Sequence, residues 1–239
     1  MLRKLADWVV TEVQEWKTFM GNTQQSKASE RKTLTLQDLM SVGAPGFETF
    51  ITESLREKVK GYLKVPEDQL SIEPHTKIDA FSYGERVAIF LISGREIRIT
   101  LKIHYSPSEC QGLAEFKKVG MDADGHPDSE AAQSLFSELA NILAGSIKRE
   151  LLDMGYVVGI SLPIAASAYD EILSSDQLHP GRLHLYLDVR GRSKQSDQDA
   201  VKFTVTVAVE PASGEDINRI RNFEYNPDER SQQSENEFL

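Results

Sequence analysis

The chain has 239 residues, 40% apolar and 27% charged, which is room for one large domain or two small ones around a sizeable core. Lys and Arg number 27 against 37 Asp and Glu, and the resulting net charge of −10 argues against a general nucleic-acid binder and against an anionic membrane as partner. Cys110 is the single cysteine, so neither an intrachain disulfide nor a cysteine-based zinc site is expected, and no apolar run reaches the roughly 18 residues of a membrane span. The chain reads as reduced, cytoplasmic and water-soluble.

Residues 1–20 predict one amphipathic helix, because Leu2, Leu5, Val9, Val13, Trp16 and Met20 recur at steps of three and four. It packs on its own domain, or it docks or oligomerises. Its polar face mixes Glu12 and Glu15 with Lys4 and Lys17 and is no basic membrane face. Residues 21–33 hold one alanine and no larger apolar side chain, which reads as a linker. Thr35 opens a short helical stretch that Gly43-Ala-Pro-Gly46 breaks, and a helical pattern resumes from Phe47 to Leu63.

Strands come next. Arg86 to Ile92 is almost wholly apolar after its first residue, and Ser93-Gly94 reads as the turn. Ile97, Ile99, Leu101 and Ile103 then alternate with Arg98, Thr100 and Lys102, a strand with one wet face that completes a hairpin. Asp122, Asp124 and Gly125 resemble a fragment of a calcium loop but lack its further acidic ligands, and a helix start with Asp128 or Ser129 as cap fits better.

A long helix is expected from about Glu130 to Asp153, stopped by Gly155, then a short strand from Tyr156 to Leu162 ending at Pro163. A second hairpin pairs the alternating stretches 183–189 and 201–209 across a polar turn. From residue 212 to 239 the chain is polar and acidic and reads as a disordered tail. The sum is an α+β domain over residues 35–211, with antiparallel hairpins packed on two long helices.

On a wheel at about 100° per residue, Ser134, Glu138, Asn141, Gly145 and Lys148 share an arc of about 80° on the long helix. Leu135, Leu139, Leu143, Ala132 and Ile147 lie broadly opposite, and Glu150 strays onto that apolar side, so the last turn is expected to rotate or fray. The stripe is an odd choice for a solvated face. Asn competes with the backbone for hydrogen bonds, and mid-helix Gly costs roughly 1 kcal/mol against Ala. Gly145 would allow close approach by another molecule or by another helix of this chain.

Ser134-Leu-Phe-Ser-Glu138-Leu-Ala-Asn141-Ile-Leu-Ala-Gly145, followed by Ile160-Ser-Leu-Pro163, resembles the signature of the CheC/CheX/FliY chemotaxis phosphatases. That signature is Ser or Asp, three residues, Glu, two residues, Asn, and a Pro just over twenty residues on. Here 21 residues separate Asn141 from Pro163, about one fewer than the family pattern. The order of elements is similar to a CheX-like domain over about residues 47–210. A single Glu-x-x-Asn copy matches CheX rather than two-site CheC. The N-terminal helix, linker and acidic tail are outside the CheX pattern.

The resemblance implies hydrolysis of the aspartyl phosphate on a phosphorylated CheY-like receiver. In it Asn141 would position the water, Glu138 would anchor the receiver's lysine, and Ser134, Gly145 and Lys148 would be contacts. No cofactor or metal of its own is implied, since Mg2+ would sit on the receiver. A non-catalytic docking module for a receiver or a flagellar-switch component is the alternative. A third reading is a structural domain forming a homodimer through a strand edge or the N-terminal helix.

Overall fold

The computed structural model describes residues 43–74, 84–116, 128–167, 183–194 and 199–226. The expected N-terminal helix, the linker, most of the loop around Asp122 and residues 227–239 lie outside the described residues, as do His75, His126 and His179.

Helix α1 spans Pro45–Lys58 and continues as a π-type turn over Val59–Leu63. Pro45 sits in its first turn, where the missing N–H costs nothing. Lys64, at φ 66°, ends it in the left-handed region. Its buried face is Phe47, Phe50, Ile51 and Leu55, continued by Val59 and Leu63. Strand β1, Leu70–Pro74, follows, then the hairpin of β2, Arg86–Gly94, and β3, Ile97–Tyr105.

The β2–β3 turn falls at Arg95-Glu96, not at Ser93-Gly94 as the sequence suggested. Gly94 is still inside the strand and pairs with Val158. A Cβ there would lie 2.3 Å from the Val157 carbonyl oxygen, so this glycine admits a neighbouring backbone and does not form the bend.

Helix α2 spans Ser129–Asp153. The Asp128 side chain caps it, accepting from the Glu130 N–H at 3.3 Å. Its last turn holds, contrary to the expected fraying. Gly155 turns the chain at φ 84°, the Tyr156 N–H donates to the Leu151 carbonyl at 2.7 Å, and Glu150 is carried into the buried side. The predicted strand 156–162 is shortened to β4, Val158–Ile160, and a strand the sequence reading did not expect, β5 over Ile164–Ser167, follows it, both antiparallel to β2. Pro163, without an N–H, interrupts the ladder, and the chain then resumes along the same edge.

Strands β6, Leu183–Arg192, and β7, Asp199–Pro211, complete one antiparallel sheet in the order β1-β6-β7-β3-β2-β4, with β5 beside β4 on β2. Alternation puts Ile99, Leu101, Ile103, Val205 and Val207 on the face that joins the helical core. Phe136 of α2 keys into it, stacking on Tyr105 at 4.2 Å and meeting Phe203 edge-on at 5.2 Å. The opposite face carries a polar row in which Thr204 donates to Asp188 at 3.0 Å and His104 Nε2 lies 3.4 Å from Thr206 Oγ1.

The reading of residues 212–239 as a disordered tail needs correction over its first half. Helix α3, Gly214–Arg221, is folded onto the domain. Ser213 caps it, accepting from the Asp216 N–H at 3.2 Å and donating to the Asp216 carboxylate at 2.6 Å. Ile220 is buried, and Phe223 and Tyr225 pack against Phe47 and Phe50 of α1. Three well-placed apolar side chains outweigh a polar average composition.

Candidate functional site

Ser134, Glu138, Asn141 and Gly145 are all exposed on α2, and Lys148 is half-buried at the end of their line. The opposite side, from Leu135 and Leu139 to Leu143 and Ile147, is buried. At 1.5 Å of rise per residue the stripe from Ser134 to Gly145 is about 16 Å long. One rigid, well-packed helix thus holds a hydroxyl, a carboxylate and an amide in a row beside a bare backbone.

Gly145 decides between the two uses the sequence left open. A Cβ placed on it would meet nothing within 4 Å. Among the described residues no other helix approaches there, and none of them packs against this glycine. Other glycines are packed against: a Cβ on Gly46 would lie 1.8 Å from the Phe223 carbonyl oxygen, and one on Gly112 would lie 2.4 Å from the Ala200 Cβ. A mid-helix glycine without an internal reason leaves room for an outside one.

Sequence reasoning missed Tyr62. It sits in the π-type turn that ends α1, and its ring packs against the core. Burial pushes its hydroxyl pKa up, and the nearby Glu138 carboxylate pushes it further in the same direction. The turn therefore brings an aromatic hydroxyl into the field of Glu138. No local pattern announces this, because it depends on how α1 and α2 pack. Pro163 is exposed between β4 and β5, on the sheet edge.

Other reactive groups are occupied structurally. Cys110 is fully buried, with Sγ 3.8 Å from the Lys202 carbonyl oxygen, and burial pushes its thiol up to about 12. His104 is buried on the far face of the sheet, and burial followed by the Lys102 charge pushes it down to about 3. His184 lies against Tyr186 with ring centroids 6.2 Å apart, and His179 lies outside the described residues. Among the described residues no group of three or more His, Cys, Asp or Glu converges to hold a metal ion, and no helix is long and apolar enough to cross a membrane.

Fold and stripe together define a class: an antiparallel α+β domain whose longest helix offers an open polar face. No family model and no curated protein matches the sequence. Solved structures do. CheX of Borrelia burgdorferi, crystallised in a complex with CheY, BeF3 and Mg, is similar with a TM-score of 0.51 at 16% identity, covering 69% of this chain and 97% of that one. A CheC-like superfamily protein from Shewanella sp. PV-4 is similar at 0.48 and 18% identity, covering 69% and 97%. CheX of Vibrio vulnificus is similar at 0.47 and 14%, covering 71% and 100%. In fold, the domain is CheX-like.

Proposed function

We propose that this protein works in chemotaxis-type signalling, hydrolysing the aspartyl phosphate of a CheY-like receiver domain in the cytoplasm. The observation that carries this is the stripe of α2: Glu138 and Asn141 exposed one turn apart, with no described residue within 4 Å of a Cβ on Gly145, on a CheX-like fold. The reported complex of Borrelia burgdorferi CheX with CheY supports a receiver as the partner.

The chemistry suits the residues. An aspartyl phosphate is an acyl phosphate and already reactive, so little beyond positioning is required. The water oxygen forms a bond to phosphorus while the bond from phosphorus to the aspartyl oxygen breaks. The carboxylate leaves, and inorganic phosphate carries the new oxygen. The Asn141 carbonyl accepts from the water while its NH2 faces a phosphoryl oxygen. Glu138 pairs with the receiver's lysine and fixes register, since a carboxylate nearer the phosphate would repel it. Ser134, Gly145 and Lys148 contact the receiver, Gly145 by letting its backbone approach. The receiver brings Mg2+, the phosphoryl group and the lysine, and this chain contributes no cofactor.

The test is phosphate loss from a panel of phosphorylated receivers, with wild type and Asn141→Ala side by side. Acceleration by wild type that falls by about two orders of magnitude in the variant, with binding kept, fits one lost positioning group. Binding without acceleration on any receiver would instead make the domain a docking module for a receiver or flagellar-switch component.

A further inference from the structure

The stripe of α2 does not end at Lys148. Eighteen residues past Ser134, a whole number of turns at 3.6 residues each, Leu152 returns to the azimuth of Ser134. It is 46% exposed, although its neighbour Leu151 is fully buried. Val157, two residues past Gly155, is 79% exposed, so this end of the helix carries two of the four large apolar side chains strongly exposed among the described residues. Scattered exposed leucines need no explanation, but one that continues a polar stripe in line does. Gln or Lys would keep an exposed helical position about as well as Leu does, so helix propensity alone does not place Leu152 there.

Charge along the stripe is divided by position. Glu130 and Glu138 lie in its first half, within about 40° of the Ser134 azimuth. Lys148 and Arg149 lie in its second half, within about 60° of it and on either side of Leu152. No Asp or Glu of α2 enters that arc after Glu138, in a chain whose net charge is −10. The C-terminal end of the stripe thus sets an apolar side chain between two cations. It suits an apolar side chain flanked by carboxylates and opposes one flanked by cations.

Length brings this end under the same partner as Asn141. Ser134 to Leu152 is about 27 Å along the helix. A standard interface of about 800 Å² per partner is roughly 30 Å across. A protein that lies over Glu138 and Asn141 therefore covers Leu152 as well. Gly145, midway, has no described residue within 4 Å of its Cβ position and lets such a partner lie close.

We infer that Leu152, with Lys148 and Arg149 beside it, is an apolar anchor that selects the receiver, about 16 Å along α2 from Asn141. The inference rests on the reading of the stripe as a receiver-docking surface, and it names what the stripe takes besides the phosphoryl group: an apolar side chain between carboxylates.

The experiment measures Kd for a panel of receivers, each with and without BeF3 and Mg2+. The full chain is used as wild type, Leu152→Gln, Leu152→Met and Ile164→Gln. Ile164 is 48% exposed on β5 and pairs with Ile89, which pairs with Lys102, on the sheet face opposite the helical core. It is the control for lost apolar area away from α2. Both substituted positions are exposed, so the variants are expected to fold, which circular dichroism and urea midpoints check. Leu152→Gln is expected to raise Kd roughly fivefold to tenfold, by the same factor with and without BeF3, since the anchor stands away from the phosphoryl group. Leu152→Met is expected to restore wild-type affinity, and Ile164→Gln to leave it unchanged. Where wild type accelerates phosphate loss, the rate at saturating receiver should be the same in Leu152→Gln, which a distorted α2 would lower. An unchanged Kd in Leu152→Gln, for every receiver that wild type binds, would overturn the inference and leave the receiver reading standing. A loss confined to the BeF3 forms, or an equal loss in Ile164→Gln, would overturn it too. A wild type that binds no receiver would overturn the inference and the reading beneath it together.

Discussion

The Arg219 guanidinium lies 4.2 Å from the centroid of the Tyr156 ring and donates to the Met154 carbonyl at the C-terminal end of α2. A cation is thereby set where the helix leaves unpaired carbonyls and the negative end of its dipole. Tyr156, in turn, donates from its hydroxyl to the Asp216 carbonyl at 3.3 Å. The helix that bears the stripe is closed by a residue 65 positions further along the chain. Arg219→Ala is expected to cost about 1–2 kcal/mol, the sum of a lost C-terminal cation and a lost cation–π contact. Urea unfolding reads it, and a change under about 0.3 kcal/mol would make the contact incidental.

Gly46→Ala makes the same point at α1. The new methyl would lie 1.8 Å from the Phe223 carbonyl oxygen, and that backbone must move. Phe223 stacks edge-on with Phe47 and Phe50, so its displacement loosens the aromatic cluster. A loss of about 2–3 kcal/mol is expected, as for overpacking a tight core. Gly46→Ala and Phe223→Ala share one contact, so their effects should combine non-additively in a double-mutant cycle.

Gly145 predicts the opposite trade. With nothing within 4 Å of its Cβ position, Gly145→Ala should stabilise the domain by about 1 kcal/mol through helix propensity. Gly145→Arg should fold equally well but raise the KM for a phosphorylated receiver by an order of magnitude or more, by filling the approach. An arginine variant with unchanged KM would show that no partner comes close there.

Glu138→Gln separates anchoring from chemistry. Loss of the charge would remove the proposed pairing with the receiver's lysine, so KM should rise by roughly tenfold, as for a lost charge-assisted contact. The kcat should move much less, whereas Asn141→Ala is expected to lower kcat. If the glutamine variant instead lowered kcat alone with a shifted pH profile, Glu138 would be acting as a base.

Acid stability reports on His104. Unfolded, its imidazole takes a proton near 6.5; folded, burial and the Lys102 charge hold it at about 3. Between those values the unfolded chain binds a proton that the folded chain refuses. The residue's contribution is therefore complete above about pH 6.5 and is lost as pH falls toward 3, at up to roughly 1.4 kcal/mol per unit. Urea midpoints at pH 7, 5.5 and 4.5 should converge for wild type and His104→Gln relative to their neutral difference. Parallel curves would assign the acid slope to other groups.

Much of this domain was legible in order. The period of α2, the alternation in β3 and β7, and the Asp128 cap all follow from local pattern, and each appears where the residues put it. The misplacements share one cause, a long-range partner. Gly94 looks like a turn residue until Val157 is seen against it. Glu150 looks misplaced until α2 is seen held to Asp153 by contacts from beyond it. The segment after Pro211 did carry a local signal, Ser213 with Asp216 three residues on, and its polar surroundings hid it. Tyr62 could not be read at all, because its place beside Glu138 is a property of two packed helices.

The cap from Arg219 also sets an order in time. Synthesis runs from N- to C-terminus, so α2 leaves the ribosome well before the residue that closes it. Until α3 has followed, the Met154 carbonyl at the end of α2 lacks its donor, and Phe47 and Phe50 lack their cover from Phe223. A nascent chain halted at the end of β7 would hold every residue of the stripe on a helix whose C-terminal end still lacks its cation. The end of α2 is thus closed late in translation, when α3 docks.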